Sequence, residues 1–144
     1  MSRSEAVNKP LIVVGVSVYA RINDVKVAAK LAKKVLSQVF SVHVVVFACK
    51  SGTEELIRSD DSVDQVVSVS SKDYSSAYNA RSNPGAVRTM TSFLSGGLIA
   101  QRIGAEFYTF GNAGSWLLGA QGVESIVKQL VDLDRVVACR VART

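Results

Sequence analysis

The residues able to do chemistry in this sequence gather behind four apolar runs. Ser17, Tyr19, Arg21 and Asn23 stand at or after the end of the first, and Cys49, Lys50, Ser51 and Thr53 after the second. Ser70, Ser71, Lys72 and Asp73 follow the third, and Gly111, Asn112, Gly114 and Ser115 the fourth. Most of these groups donate hydrogen bonds and three are cationic, so a site built from them favours an anionic small molecule such as a nucleotide or phosphorylated metabolite. The turn GNAGS, residues 111–115, leads into a helix-like run, where small residues let backbone N–H groups approach an anion closely. The same glycines would equally serve a plain turn that needs positive φ. Ser51, Gly52 and Thr53, beside Lys50, form a second candidate of the same kind. Neither stretch matches the dinucleotide fingerprint G-x-G-x-x-G or the P-loop.

Proton transfer or covalent attack would fall to Asp24, Cys49, Lys50 or Asp73. A thiol beside a lysine and a helix start has a lowered pKa, which would make Cys49 reactive; a small apolar residue ending a buried strand would make it structural. The one histidine, His43, lies inside VHVVVF, a buried-strand pattern that gives no Ser-His-Asp or Cys-His arrangement and no His-rich metal site. No metal site is expected: Asp60, Asp61 and Asp64 cluster around a turn, where they solvate the connection better than they would hold Mg²⁺. No motif names a cofactor. Trp116 is expected to pack.

These groups need a scaffold. With 144 residues and 48% hydrophobic content, the chain can bury one sizeable core and not two, so residues 10–144 should form one domain behind a polar tail, 1–9. The N-terminus lacks the apolar region of a secretory signal, and no apolar run reaches the roughly 18 residues of a spanning helix, which implies a soluble cytoplasmic protein with no membrane partner. Cys49 and Cys139 suggest no disulfide framework. The net charge is +5, and Lys26, Lys30, Lys33 and Lys34 fall in one segment. They form a solvated helix face or a surface for nucleic acid or an acidic partner. Self-association is compatible with the sequence.

Residues 10–18 and 41–49 are β-branched and apolar on both alternations, as in strands covered on both faces. Between them Val27, Ala28, Leu31, Ala32, Val35 and Val39 recur at helical spacing, making a right-handed parallel βαβ unit with Asn23-Asp24 as the helix start. A short helix over KSGTEELIRS, a weaker strand over 63–70 and a polar loop over 71–83 follow. Residues 86–103 read as one helix interrupted by Gly96-Gly97, with Val87, Met90, Leu94, Leu98 and Ile103 as its apolar side, or as a strand followed by a helix. AEFYTFG is a strand, Val123, Ile126, Val127, Leu130 and Val131 mark a helix, and RVVACRVA is a final strand. The alternation gives a three-layer α/β/α sandwich, Rossmann-like, around a mostly parallel sheet of five or six strands. In that architecture ligands bind beyond the carboxyl ends of the strands, which is where the groups above stand.

The order of elements, with a glycine-containing turn after the fourth strand and RVVACRV closing the chain, resembles universal stress proteins, a likeness that implies nucleotide binding. Val16-Ser17 stands where that family has an acidic residue. ARSNPGAVRT, FYTFGNAG and VESIV are similar to the type B sugar-phosphate isomerases, although Ser70-Ser71 stands where the reactive cysteine or threonine would lie and the acidic-histidine pair after strand 1 is missing. Three readings result: a binding or regulatory module for an anionic small molecule, favoured by the surplus of donors over catalytic pairs; an enzyme acting on a phosphorylated small substrate; and a nucleic-acid-associated or assembly protein using the lysine-rich helix.

Overall fold

A computed structural model describes residues 8–69, 84–114 and 120–133. In chain order the elements are β1 (Leu11–Val18), α1 (Ile22–Leu36), β2 (Ser41–Ala48), α2 (Glu54–Arg58), β3 (Gln65–Ser68), α3 (Pro84–Arg102), β4 (Phe107–Asn112) and α4 (Ala120–Asp132). The strands form one sheet in the order β3-β2-β1-β4, and every neighbouring pair is parallel. The chain therefore builds outward from β1 to β3, then crosses back to lay β4 on the other side of β1. The strand order reverses between β1 and β4.

Alternation along the strands divides the core between two faces. Ile12, Val14, Val16 and Val18 of β1 meet Val25, Ala29, Ala32 and Leu36 of α1, with Val123 and Val127 of α4 against the same cluster. Val13, Val45 and Phe47 point the other way, towards Ile99 and Ala100 of α3 and the rings of Tyr108 and Phe110. Helices thus cover both faces of a parallel sheet, which is why Val44 to Phe47 are fully buried without a polar residue among them. Each such side chain contributes about 1.5–3 kcal/mol through burial.

Three expectations change. The sheet has four strands among the described residues, not five or six; the final strand expected in RVVACRVA lies outside them. Helix α1 starts at Ile22, ahead of Asn23-Asp24, and its core side is Val25, Ala28, Ala29, Ala32, Val35 and Leu36, which leaves Val27 exposed. Residues 84–102 do form one helix, but Met90, Leu94 and Leu98 are 58%, 58% and 62% exposed, while Ser92 and Ala100 face the sheet. The physical reason lies in β4. Tyr108 and Phe110 fill the space under the helix with aromatic rings: Phe93 packs against both, at 5.8 and 5.6 Å between ring centroids, and the backbone comes closest to Tyr108 at Gly96. A Cβ on Gly96 would stand 2.7 Å from Cζ of Tyr108, and one on Gly15 would stand 3.0 Å from Cδ2 of Phe110. The glycines in the helix are the notch that accepts Tyr108.

The lysines of α1 are partly structural. Lys33 Nζ lies 2.6 Å from Asp64 Oδ2 and donates to the Val42 carbonyl at 3.0 Å, and Asp64 also accepts the Val44 N–H at 2.7 Å. Lys30 Nζ is 3.8 Å from Asp60. The acidic residues before β3 therefore meet the helix lysines as well as the solvent. No helix among the described residues is long and apolar enough to cross a membrane.

Candidate anion-binding crevice

The reversal of strand order puts the ends of β1 and β4 side by side. Ser17 is in register with Asn112, and the Ala113 N–H donates to the Ser17 carbonyl at 3.1 Å, extending the pairing past the strand. The Gly114 N–H donates to Asn112 Oδ1 at 3.2 Å, so the side chain of Asn112 folds the start of the GNAGS turn. Positive φ occurs at Gly52 and Gly104 among the described glycines, and Gly111 and Gly114 do not need it. What Gly114 supplies is room: a Cβ there would stand 3.3 Å from Nη1 of Arg21. The guanidinium of Arg21 thus reaches from the start of α1 to the turn after β4, with its Nε 2.5 Å from Asp24 Oδ2. Ser115 lies outside the described residues, as does Asp73.

A second group forms where β1 and β2 end beneath α3. Cys49 Sγ is 3.8 Å from Ser92 Oγ and donates to the Phe47 carbonyl at 3.7 Å. Ser92 is fully buried, and its hydroxyl donates back along the helix to the Arg88 carbonyl at 2.9 Å. Burial pushes the Cys49 thiol above its ordinary pKa, with the Ser92 hydroxyl, the Arg88 charge and the Ser17 hydroxyl pulling the other way. The lowered pKa expected from Lys50 and the helix start is thereby corrected. Desolvation outweighs the nearby donors, and Cys49 is held as a neutral thiol.

Above this floor, Arg88 places its guanidinium 4.6 Å from the ring centroid of Tyr19, and Lys50 Nζ is 5.9 Å from the same centroid. Tyr19 is about half exposed. Among the described residues no carboxylate pairs with either cation. Cation–π contacts of this kind hold the two side chains without neutralising them.

The SGT turn has a different character. Thr53 Oγ1 donates to the Lys50 carbonyl at 2.7 Å, the Gly52 N–H donates to Glu54 Oε2 at 3.0 Å, and the Ser68 hydroxyl donates to Glu54 Oε1 at 3.0 Å. The backbone N–H of Glu54 itself, then Ser68, hold this carboxyl below its ordinary pKa. Gly52 and Thr53 are committed within the turn, Ser51 is exposed in it, and α2 has five residues. An acidic side chain of the chain itself takes the place an anion would need.

The structure therefore brings together Ser17, Arg21, Asn112 and Gly114, with Gly111 in the strand register behind them, and sets Cys49 and Lys50 beside the same strand end. Asp24 serves Arg21 and has no contact with Cys49 or Lys50 among the described interactions. Arg88, Ser92 and the role of Tyr19 were missed. Their signal was weak: Arg88 and Ser92 are one helical turn apart, but only the placement of α3 over β1 shows that this turn meets the strand ends.

No protein-family model, curated protein or solved structure matches the chain. The likenesses to universal stress proteins and type B sugar-phosphate isomerases rest on the order of elements and the short stretches that carry them, and no comparison supports either.

Proposed function

We propose that this domain binds an anionic small molecule, a nucleotide or phosphorylated metabolite, at the carboxyl edge of its sheet, and that it works by binding or regulation. The observation that carries the reading is the convergence of Arg21, Arg88 and Lys50 on the residues that follow β1, at the reversal of strand order. Among the described residues Arg21 is paired with Asp24 while Arg88 and Lys50 have no carboxylate partner, which makes the rim electropositive, and the Ser17 hydroxyl and the backbone after β4 add donors beside it.

An enzymatic reading draws less support. The Cys49 thiol is held neutral, its polar neighbours are the hydroxyls of Ser92 and Ser17, and no general base stands against it among the described residues. The nucleic-acid reading is weakened at two of its four lysines, because Lys30 and Lys33 face Asp60 and Asp64.

Thermal unfolding in the presence of nucleotides, sugar phosphates and inorganic phosphate tests the proposal. A concentration-dependent rise in the unfolding midpoint with at least one of them is expected, since a ligand that binds only the native state stabilises it by mass action. The absence of a shift with every anion at millimolar concentration contradicts the reading.

A further inference from the structure

From the outer side of α3, we infer that the protein forms a symmetric dimer in which the α3 helices of two copies pack against each other. Met90, Leu94 and Leu98 stand at four-residue steps on the side of α3 that faces away from the sheet, and each is more than half exposed. The sheet side of the same helix is taken by Ser92, Gly96, Ile99 and Ala100. Apolar residues thus lie on both sides of α3, the pattern of a helix that is covered all round. No charged side chain occurs between Arg88 and Arg102, in a chain where 20% of residues are charged. The other long helices follow the opposite rule: α1 exposes Lys30 and Lys34, and α4 exposes Glu124, Lys128 and Asp132. The outer side of α3 is therefore composed to lie under protein.

The relief of the stripe fits a second copy. Met90, Leu94 and Leu98 form a ridge along the i±4 direction, and the rows beside it carry Thr91 and Ser95 on one side and Gly97 on the other, which leaves grooves next to the ridge. Thr91 Oγ1 donates to the Val87 carbonyl at 2.8 Å, so this groove can be dried without stranding the hydroxyl. A ridge beside a groove is its own complement: under a two-fold axis each ridge enters the groove of the other copy, the two helices crossing at about −50°. Three side chains of this size leave on the order of 300 Å² of apolar surface, a dry centre for an interface of roughly 800 Å² per partner. The remaining segments of the chain fit the stripe less well. Residues 71–83, which precede α3, are polar, and 115–119 and 134–144 adjoin α4, which lies with α1 on the opposite face of the sheet. An uncharged stripe also gives an acidic or basic partner nothing to select.

Sedimentation velocity of the full chain, from about 1 to about 300 µM, tests this. The 15.4 kDa chain is expected to pass to twice that mass within the range. Leu94→Glu should weaken dimerisation at least about tenfold, because every dimer would then hold two like charges in its desolvated centre. Leu98→Glu should act in the same way, and it keeps the test available if the first variant does not fold. Ile126→Glu on α4, at a side chain that is likewise half exposed, should leave the dimer unchanged. A wild type that stays monomeric across the range overturns the inference, whether or not it binds phospholipid vesicles. So does a dimer that survives both folded α3 variants, or one that only Ile126→Glu abolishes.

Discussion

Tyr108 of β4 is seated in a notch that Gly96 leaves in α3. Its hydroxyl donates to the Phe93 carbonyl at 2.7 Å, and its Cζ lies 2.7 Å from where a Cβ on residue 96 would stand. This is the contact by which α3 settles on the sheet, and so the contact that sets Arg88 and Ser92 over the strand ends.

The neighbouring glycine gives an internal control. A Cβ on Gly97 would meet the Tyr108 ring at 3.7 Å, an ordinary contact. Gly96→Ala should therefore destabilise the domain by about 1–3 kcal/mol through overpacking. Gly97→Ala should be neutral or stabilising by up to about 1 kcal/mol, through the lower backbone entropy of alanine in a helix. Urea denaturation of the two variants checks this, and equal effects would contradict the notch.

Asp64 is predicted to matter more than its place in a turn implies. Its Oδ2 accepts the Val44 N–H and meets Lys33 Nζ. Asp64→Ala leaves the strand N–H and the partly buried ammonium without this partner and should cost about 1–3 kcal/mol. Lys30→Ala removes only a long contact to Asp60 from an exposed side chain and should cost between about 0 and 1 kcal/mol. Denaturation midpoints of the two proteins would separate these outcomes.

Two half-buried groups point to alkaline instability. Desolvation raises the pKa of Cys49 above its ordinary 9.0 and that of Tyr108 above its ordinary 10.0. Both are neutral when protonated, so the unfolded chain releases their protons at lower pH than the folded one. The stability they contribute is complete below about pH 9 and is lost as pH rises from there towards the folded values. Tyr108→Phe loses the hydrogen bond to Phe93 at every pH but should show a shallower fall in stability above about pH 10 than the wild type. An unchanged slope would contradict burial of the phenol. Alkylation of a Cys139→Ser variant at pH 7.5 should likewise be slower than that of a free thiol.

The parts of the fold written in apolar runs were legible. Residues 11–18 and 41–48 are strands, as their β-branched pattern requires, and α1 joins them in parallel. Helix α3 shows the limit. Its large residues Met90, Leu94 and Leu98 match the core side by periodicity, which records size and spacing, whereas the sheet beneath already carries Tyr108 and Phe110 and meets Ser92, Phe93, Gly96, Ile99 and Ala100 instead. The candidate site was legible by position at Ser17, Arg21, Asn112 and Gly114, since strand ends are where this architecture opens. Arg88 was not, because nothing local to AVRTMTSF says which strand end it covers. Glu54 lies in the first turn of α2, and its occupation of the Gly52 N–H depends on a turn geometry that the residue types do not specify.

The most direct test is a titration of the ¹⁵N-labelled domain with pyrophosphate, followed through its backbone amide resonances. Saturable shifts are predicted at Tyr19, Ala20, Arg21, Ala113 and Gly114, with Lys30, Lys34 and Gly52 unmoved. Saturable shifts centred on Lys26 to Lys34 of α1, or no saturable shift anywhere, would contradict an anion site between the ends of β1 and β4.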